Sequence, residues 1–391
     1  MIPHQALPHA KPSDVGLCPD RTQRLMDALR REIDKGRLPG AVAMIARHGQ
    51  IGLFEAVGQQ DPQTGVPMKT DSIFRIYSMT KPVVSVAVMM LVERGLLLLS
   101  DPVSRWLPEY ANQQVATASG LEPVRQGATV QDLLRHTAGL TYEFLGDSPV
   151  QRQYDQVMIA SRERTNAEFS QTLAAVPLQF QPGNVWGYSR ATDVLGRLVE
   201  VVSGQGLGAF LQAEILGPLG MVDTGFAVPP TQHHRIAEPF AHDPDGGVPM
   251  KVIEPREVPA MESGGGGLMS TAMDYARFLQ CLRNQGELDG VRLLSPQTLA
   301  YMTADHLGSI PADGIMLPPG HGFGLGFAVR THLGLAPVPG SVGLYYWGGI
   351  AGTTFFVDPA LDMVAMLLIQ APNQRDYYRP LFRNLVYAAL L

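Results

Sequence analysis

The chain has 391 residues, of which 45% are apolar and 17% charged, and a formal net charge of −6. This is globular composition, long enough for a large core in two subdomains or one elaborated domain, and it excludes a disordered chain. No basic patch points to nucleic acid as a partner, and no apolar run reaches bilayer length: 83–92 meets Glu93-Arg94, and 363–369 is strand length.

The first sixteen residues, MIPHQALPHAKPSDVG, hold no apolar export core and no cleavage pattern, so a cytoplasmic location is expected. Cys18 and Cys281 read as free thiols, being far apart with no metal-ligand spacing. Leu25, Met26, Leu29 and Ile33 fall at helical spacing between Asp20 and Lys35, and Gly36 stops the helix. AVAMIAR (41–47), a His48-Gly49-Gln50 turn and IGLFEAV (51–57) then predict a β-hairpin. The middle of the chain, 100–240, carries helical periodicity in VQDLLRH (130–136), after Tyr188 and in GAFLQAEIL (208–216), broken by Gly and Pro loops. Near the far end, GTTFFV (352–357), an Asp358-Pro359 turn and MVAMLLIQ (363–370) predict a second hairpin, followed by a helix from about Tyr377 to Leu391. The expected fold is therefore α/β plus all-α. One antiparallel sheet flanked by helices is built from both chain ends, 1–99 and 241–391, and a helical domain is inserted over 100–240. A cleft between the two parts is the expected site.

The most informative stretch is IYSMTKPVV, 76–84. The residues from Val83 to Arg94 form a strong helix signal, apolar almost all round and ending before Gly95. If the helix starts near Met79, Pro82 lies in its first turn, where a missing N–H costs nothing. Ser78 and Lys81 then share one face at the helix head. The helix end carries partial positive charge, which together with burial disfavours an ammonium there. A neutral amine can take the hydroxyl proton, and backbone N–H groups at the same end can hold an oxyanion. The bland alternative is an N-cap serine beside a snorkelling lysine.

Two further stretches supply partners. NVWGYSRATDVLGRLVEVVSG places Tyr188 just ahead of a helix whose face is Val194, Leu195, Leu198, Val199 and Val202. A phenol there can pass a proton to a leaving alcohol; packing on the helix end is the alternative. In YYWGGIAGTTFF, Gly348 and Gly349 let backbone approach a substrate closely. The N–H of Ile350 could complete an oxyanion hole with that of Ser78; a structural glycine bulge is the alternative.

Ser78-Met79-Thr80-Lys81, Tyr188-Ser189-Arg190 and Trp347-Gly348-Gly349 resemble, in order and rough spacing, the motifs of the serine β-lactamase and penicillin-binding superfamily. The chain looks most like its esterase branch, the family VIII carboxylesterases related to class C β-lactamases. LLRHTAGL (133–140), PLGMVDTGF (218–226) and SGGGGLMSTAMDYARF (263–278) extend the likeness to roughly residues 20–390. The resemblance implies Ser78 as the acylated nucleophile, Lys81 and Tyr188 as shared general base and acid, and hydrolysis through an acyl-enzyme. It implies no metal and no cofactor.

Departures from the pattern bear on substrate. The β-lactamases carry Tyr-x-Asn, where this chain has Arg190 in the third position, and Lys-Thr-Gly on an edge strand, where it has Trp347 first. Without a cation at 347, recognition of a β-lactam carboxylate is weakened, and an apolar Trp suits an ester. The absence of Gly-x-Ser-x-Gly excludes the α/β-hydrolase elbow. The expected activity is hydrolysis of small-molecule carboxylic esters with short to medium acyl chains. The expected substrate contacts are Trp347, Gly348, Gly349 and Tyr142, with packing the competing reading for Tyr142. The rival readings are a β-lactamase or D-amino-acid-releasing peptidase, and a non-catalytic penicillin-binding-like scaffold.

Other motifs read as structural. Gly264–Gly267 lacks the Gly-Lys-Ser/Thr of a phosphate loop and is expected to be a plain loop bordering the cleft. Thr271 and Asp274 have the spacing of a helix start. His233-His234 has no partners at metal spacing, and His136 is expected to be buried and hydrogen-bonded.

Overall fold

The computed structural model describes residues 6–312, 314 and 316–391, so the N-terminal reading above lies partly outside the described residues. An eight-stranded antiparallel sheet is the platform. Its strands in chain order are β1 (Gly40–Arg47), β2 (Gln50–Asp61), β3 (Val66–Pro67), β4 (His321–Phe323), β5 (Ala328–Arg330), β6 (Tyr345–Gly348), β7 (Thr354–Asp358) and β8 (Met363–Ile369). Their spatial order is β4-β5-β6-β7-β8-β1-β2-β3, so the two chain ends meet where β1 pairs β8, from Ala41 opposite Ile369 to Arg47 opposite Met363.

Side chains alternate across a strand, and here both faces are covered. Ala41, Ala43 and Ile45 point into a core shared with α1 (Pro19–Asp34) and the C-terminal helix. Val42, Met44 and Ala46 point into the main core, which holds α2 (Thr80–Glu93). This is why β1 and β8 read as continuous apolar runs rather than alternating ones. Both expected hairpins are present. His48 and Gly49 turn the first with φ of 53° and 73°.

The sequence did not announce β4 and β5, which hold only three residues each. They change the standing of the Trp347 strand: β6 is third from the end of the sheet, not its edge. However, β5 pairs only Tyr345 and Tyr346 of β6, so among the described residues the backbone at Trp347 and Gly348 has no strand partner on that side.

Between β3 and β4 the chain is mainly helical, with α3 (Ala191–Ser203) packed on α2 and α4 (Ala272–Arg283) following the glycine run. Thr271 caps α4, accepting the Asp274 N–H at 3.3 Å. The last helix, α5 (Arg375–Ala388), closes the chain. We propose the division into 1–99 with 241–391 and an inserted 100–240; what supports it is that every strand of the large sheet comes from the first of these parts. No single helix among the described residues is long and apolar enough to cross a membrane.

The β1–β8 seam is the centre of the platform. Leu367, fully buried in the core that also holds Phe382, should cost about 2–5 kcal/mol when cut to Ala, whereas Leu333→Ala, 62% exposed, should stay within about 0.5 kcal/mol. Denaturant midpoints of the two variants check this.

Candidate active site

The head of α2 begins one turn earlier than its α-helical span. A 3₁₀ turn, Tyr77–Met79, leads into Thr80, so Ser78 sits at the head and Lys81 in the first α turn, with Pro82 beside it. Everything from Thr80 to Leu91 is buried, as the all-round apolar sequence requires. Tyr77 is one of the few non-glycine residues with positive φ, 45°, and is pinned by the Ile253 N–H donating to its phenol at 2.9 Å.

Lys81 is 1% exposed and its amine has three oxygen partners: Ser78 Oγ at 3.3 Å, Tyr142 Oη at 2.9 Å and the Gly265 carbonyl at 2.6 Å. Ser78 is half-buried on the wall of a cavity of about 210 Å³ that it shares with Tyr142, Phe144, Arg162, Gly265 and Ile350. The Ser78–Lys81 pair is therefore together and open to a ligand.

Tyr188 precedes α3 and is 3% exposed. Its ring lies against the amine, with Lys81 Nζ 4.7 Å from the ring centroid, but its phenol oxygen accepts instead from Trp347 Nε1 at 3.1 Å. Sequence reasoning missed that Tyr142 rather than Tyr188 is the phenol bonded to Lys81. Burial, reinforced by Tyr188, holds the Tyr142 phenol well above its ordinary value, so it stays protonated.

Gly349 brings the end of β6 against the nucleophile turn. A Cβ there would lie 2.4 Å from the Ile76 carbonyl oxygen and 2.4 Å from Thr353 Oγ1. This close approach sets Ile350 on the Ser78 cavity, and its N–H donates to no group among the described residues. Trp347 and Gly348 do not line that cavity. They border a larger one, about 430 Å³, with His321, Tyr346, Arg379 and Arg383, which Ser78 does not reach. The smaller cavity is the one that holds the Ser78 hydroxyl.

The Gly264–Gly267 run is more than a plain loop. Its Gly265 carbonyl holds Lys81, and its Gly265 N–H donates to Asp193 Oδ1 at 2.9 Å, an oxygen that also accepts from Ser263 Oγ at 2.5 Å. Cβ atoms at Gly264 and Gly265 would meet the Thr192 carbonyl oxygen at 2.5 Å and Asp193 Oδ2 at 2.7 Å. None of the four has positive φ, so their value is room for close approach to α3. Arg190, at the position where Asn is usual in the resembled motif, ion-pairs with Glu143 at 2.5 Å and Asp193 at 3.6 Å. Burial opposes its charge, but Asp193 and Glu143 push it up. His136 is buried, its Nδ1 3.1 Å from Ser189 Oγ. Burial, together with the nearby Lys81 charge, pushes it well below the ordinary histidine value, so it is neutral.

No group of three or more His, Cys, Asp or Glu residues able to hold a metal is found among the described residues, and Cys18 and Cys281 are free. The site can do acyl transfer: a hydroxyl beside an amine, an unpaired backbone N–H, and a phenol with its proton free.

Comparison with known proteins fits this arrangement. The Beta-lactamase family model matches residues 22–388. Protein Rv1367c of Mycobacterium tuberculosis is 37% identical over 357 residues, covering 88% of this chain and 88% of its own. Esterase EstB of Burkholderia gladioli is 38% identical over 373 residues, covering 88% of this chain and 89% of its own. Among solved structures, EstCE1, described as a hydrolase with promiscuous acyltransferase activity, superposes with a TM-score of 0.81 at 29% identity, covering 94% of this chain and 98% of its own.

The contact between Gly265 and Asp193 makes a test of the site geometry. Gly265→Ala should push the loop carbonyl off Lys81 and slow labelling of Ser78 by a fluorophosphonate on the order of a hundredfold, with circular dichroism retained. Labelling at the original rate would show that the carbonyl does not position the amine.

Proposed function

Since the chain belongs to the Beta-lactamase family and stands with the family VIII carboxylesterases, we propose that it hydrolyses carboxylic esters of short to medium acyl chains through an acyl-enzyme on Ser78. The observation that carries this reading is the Ser78 hydroxyl 3.3 Å from a buried amine on a cavity wall, with a neutral indole where a β-lactamase would have a cation.

In the structure the Lys81 amine donates to Ser78 Oγ, Tyr142 Oη and the Gly265 carbonyl; in this reading it gives up the proton facing Ser78 to solvent before the attack, and the freed lone pair then takes the Ser78 O–H while the other two bonds stay. Ser78 Oγ attacks the ester carbonyl as its proton passes to Lys81. The N–H groups of Ser78 and Ile350 hold the oxyanion. Tyr188 gives its proton to the leaving alkoxide and recovers one from Lys81. Trp347 suits this role: an indole N–H only donates, so the phenol oxygen is held as an acceptor while its own proton stays free. The same N–H steadies the phenolate left behind. Water then attacks the acyl carbonyl and the proton transfers run in reverse, releasing the acid.

Three substitutions and one substrate pair test the scheme. Ser78→Ala should lose at least roughly a thousandfold in kcat/KM on 4-nitrophenyl butyrate. Tyr188→Phe should lose about a hundredfold or more, and Tyr142→Phe less, because only Tyr188 transfers a proton to the alcohol. Wild-type kcat/KM should be much higher on 4-nitrophenyl butyrate than on nitrocefin. The reverse preference would make the protein a β-lactamase, and no labelling by fluorophosphonate would favour a scaffold.

A further inference from the structure

The Ser78 cavity holds a cation that the hydrolysis scheme does not use. Arg162 lines it, and its Nε and Nη2 are buried without a hydrogen-bond partner. The guanidinium makes no ion pair among the described residues. Burial lowers its proton affinity, opposed by the Tyr77 phenol on the same cavity and by Glu257, which is exposed and forms no ion pair with it among the described residues. Its main chain is fixed, the Arg162 carbonyl accepting the Met261 N–H at 3.2 Å. The other cation of the wall, Arg190, is neutralised by Glu143 and Asp193. The remaining walls include Phe144, Ile253 and Met261, which offer no compensation.

A desolvated guanidinium without an acceptor is costly, and a carboxylate matches its fork of donors with two parallel hydrogen bonds. We propose that Arg162 anchors a carboxylate on the acyl part of the substrate, so that the esters preferred by this site are half-esters of dicarboxylic acids. The inference rests on Ser78 as the nucleophile. The side of the ester follows from where the proton donor stands. Tyr188 and Trp347 do not line this cavity, so the alcohol leaves away from it and the acyl chain lies within it. The charge missing at position 347 is thus present at another point of the site, facing the other half of the substrate.

The test compares mono-4-nitrophenyl adipate with 4-nitrophenyl hexanoate, which has the same acyl length without the carboxylate. The wild type should favour the adipate half-ester in kcat/KM, mainly through KM. In Arg162→Met and Arg162→Gln the adipate-to-hexanoate ratio should fall at least tenfold, and Arg162→Lys should recover part of it. An unchanged ratio in both variants would overturn the proposal, as would an equal loss on both esters, which marks a structural role. A second pair, 4-acetoxybenzoate against phenyl acetate, puts the carboxylate on the alcohol; an Arg162-dependent preference there would overturn the acyl-side assignment. Cleavage of the hexanoate by Ser78→Ala would instead bring down the nucleophile assignment, and the anchor with it.

Discussion

A lysine amine buried at the head of an apolar helix is the constraint on which the rest of the site depends. Burying such a group is costly unless it is fully hydrogen-bonded. Its three oxygen partners come from three separate segments: Ser78 from its own turn, Tyr142 from the loop after the RHTAGL stretch, and Gly265 from the glycine run. Each partner is itself tied down. Gly265 is held by Asp193, Asp193 faces Arg190, Arg190 pairs with Glu143, and Glu143 follows Tyr142, on whose ring the Arg190 guanidinium stacks at 4.9 Å. The network closes on itself around the amine. No single member can shift without loosening the others, which is the rigidity a pre-organised site needs.

Much of this was legible because local rules agreed with one another. Pro82 fixed where α2 begins, and that alone put Ser78 and Lys81 on one face. The two hairpins and both terminal helices followed from periodicity and turn residues, which together implied a sheet closed by the chain ends. What escaped has physical reasons. The strands β4 (His-Gly-Phe) and β5 (Ala-Val-Arg) are three residues each, too short for a period-2 signal. Gly264–Gly267 lacks the residues of a phosphate loop and so reads as a plain loop, yet adjacent glycines can also mean that something lies too close for a Cβ, which is the role Gly264 and Gly265 fill against α3. The Tyr142–Lys81 bond links residues 61 apart, and no spacing rule reaches that far.

Replacing a cation by Trp347 changes the electrostatics of the site in a way that composition alone does not show. An indole N–H offers the Tyr188 phenol oxygen a hydrogen bond without a charge, which orients the phenol. On the wall that holds the hydroxyl, Arg162 is a cation without an ion pair among the described residues.

The residue before the nucleophile shows where the fold stores strain. A tyrosine at φ 45° costs on the order of 1–3 kcal/mol, and it persists only if the surroundings dictate it. They do so from both sides. The Ile253 N–H holds the phenol, the Gly266 backbone packs on the Tyr77 main chain, and Gly349 lies against Ile76 one residue earlier. Left to its preferred conformation, Tyr77 would swing Ser78 off the helix axis, away from Lys81 and from the Ile350 amide. The Gly349 contact that sets Ile350 on the cavity thus also bears on the turn that presents the hydroxyl. In the proposed scheme the nucleophile and the oxyanion donor are coupled through backbone packing, because the segment bearing Gly349 can approach that turn only where a side chain is missing.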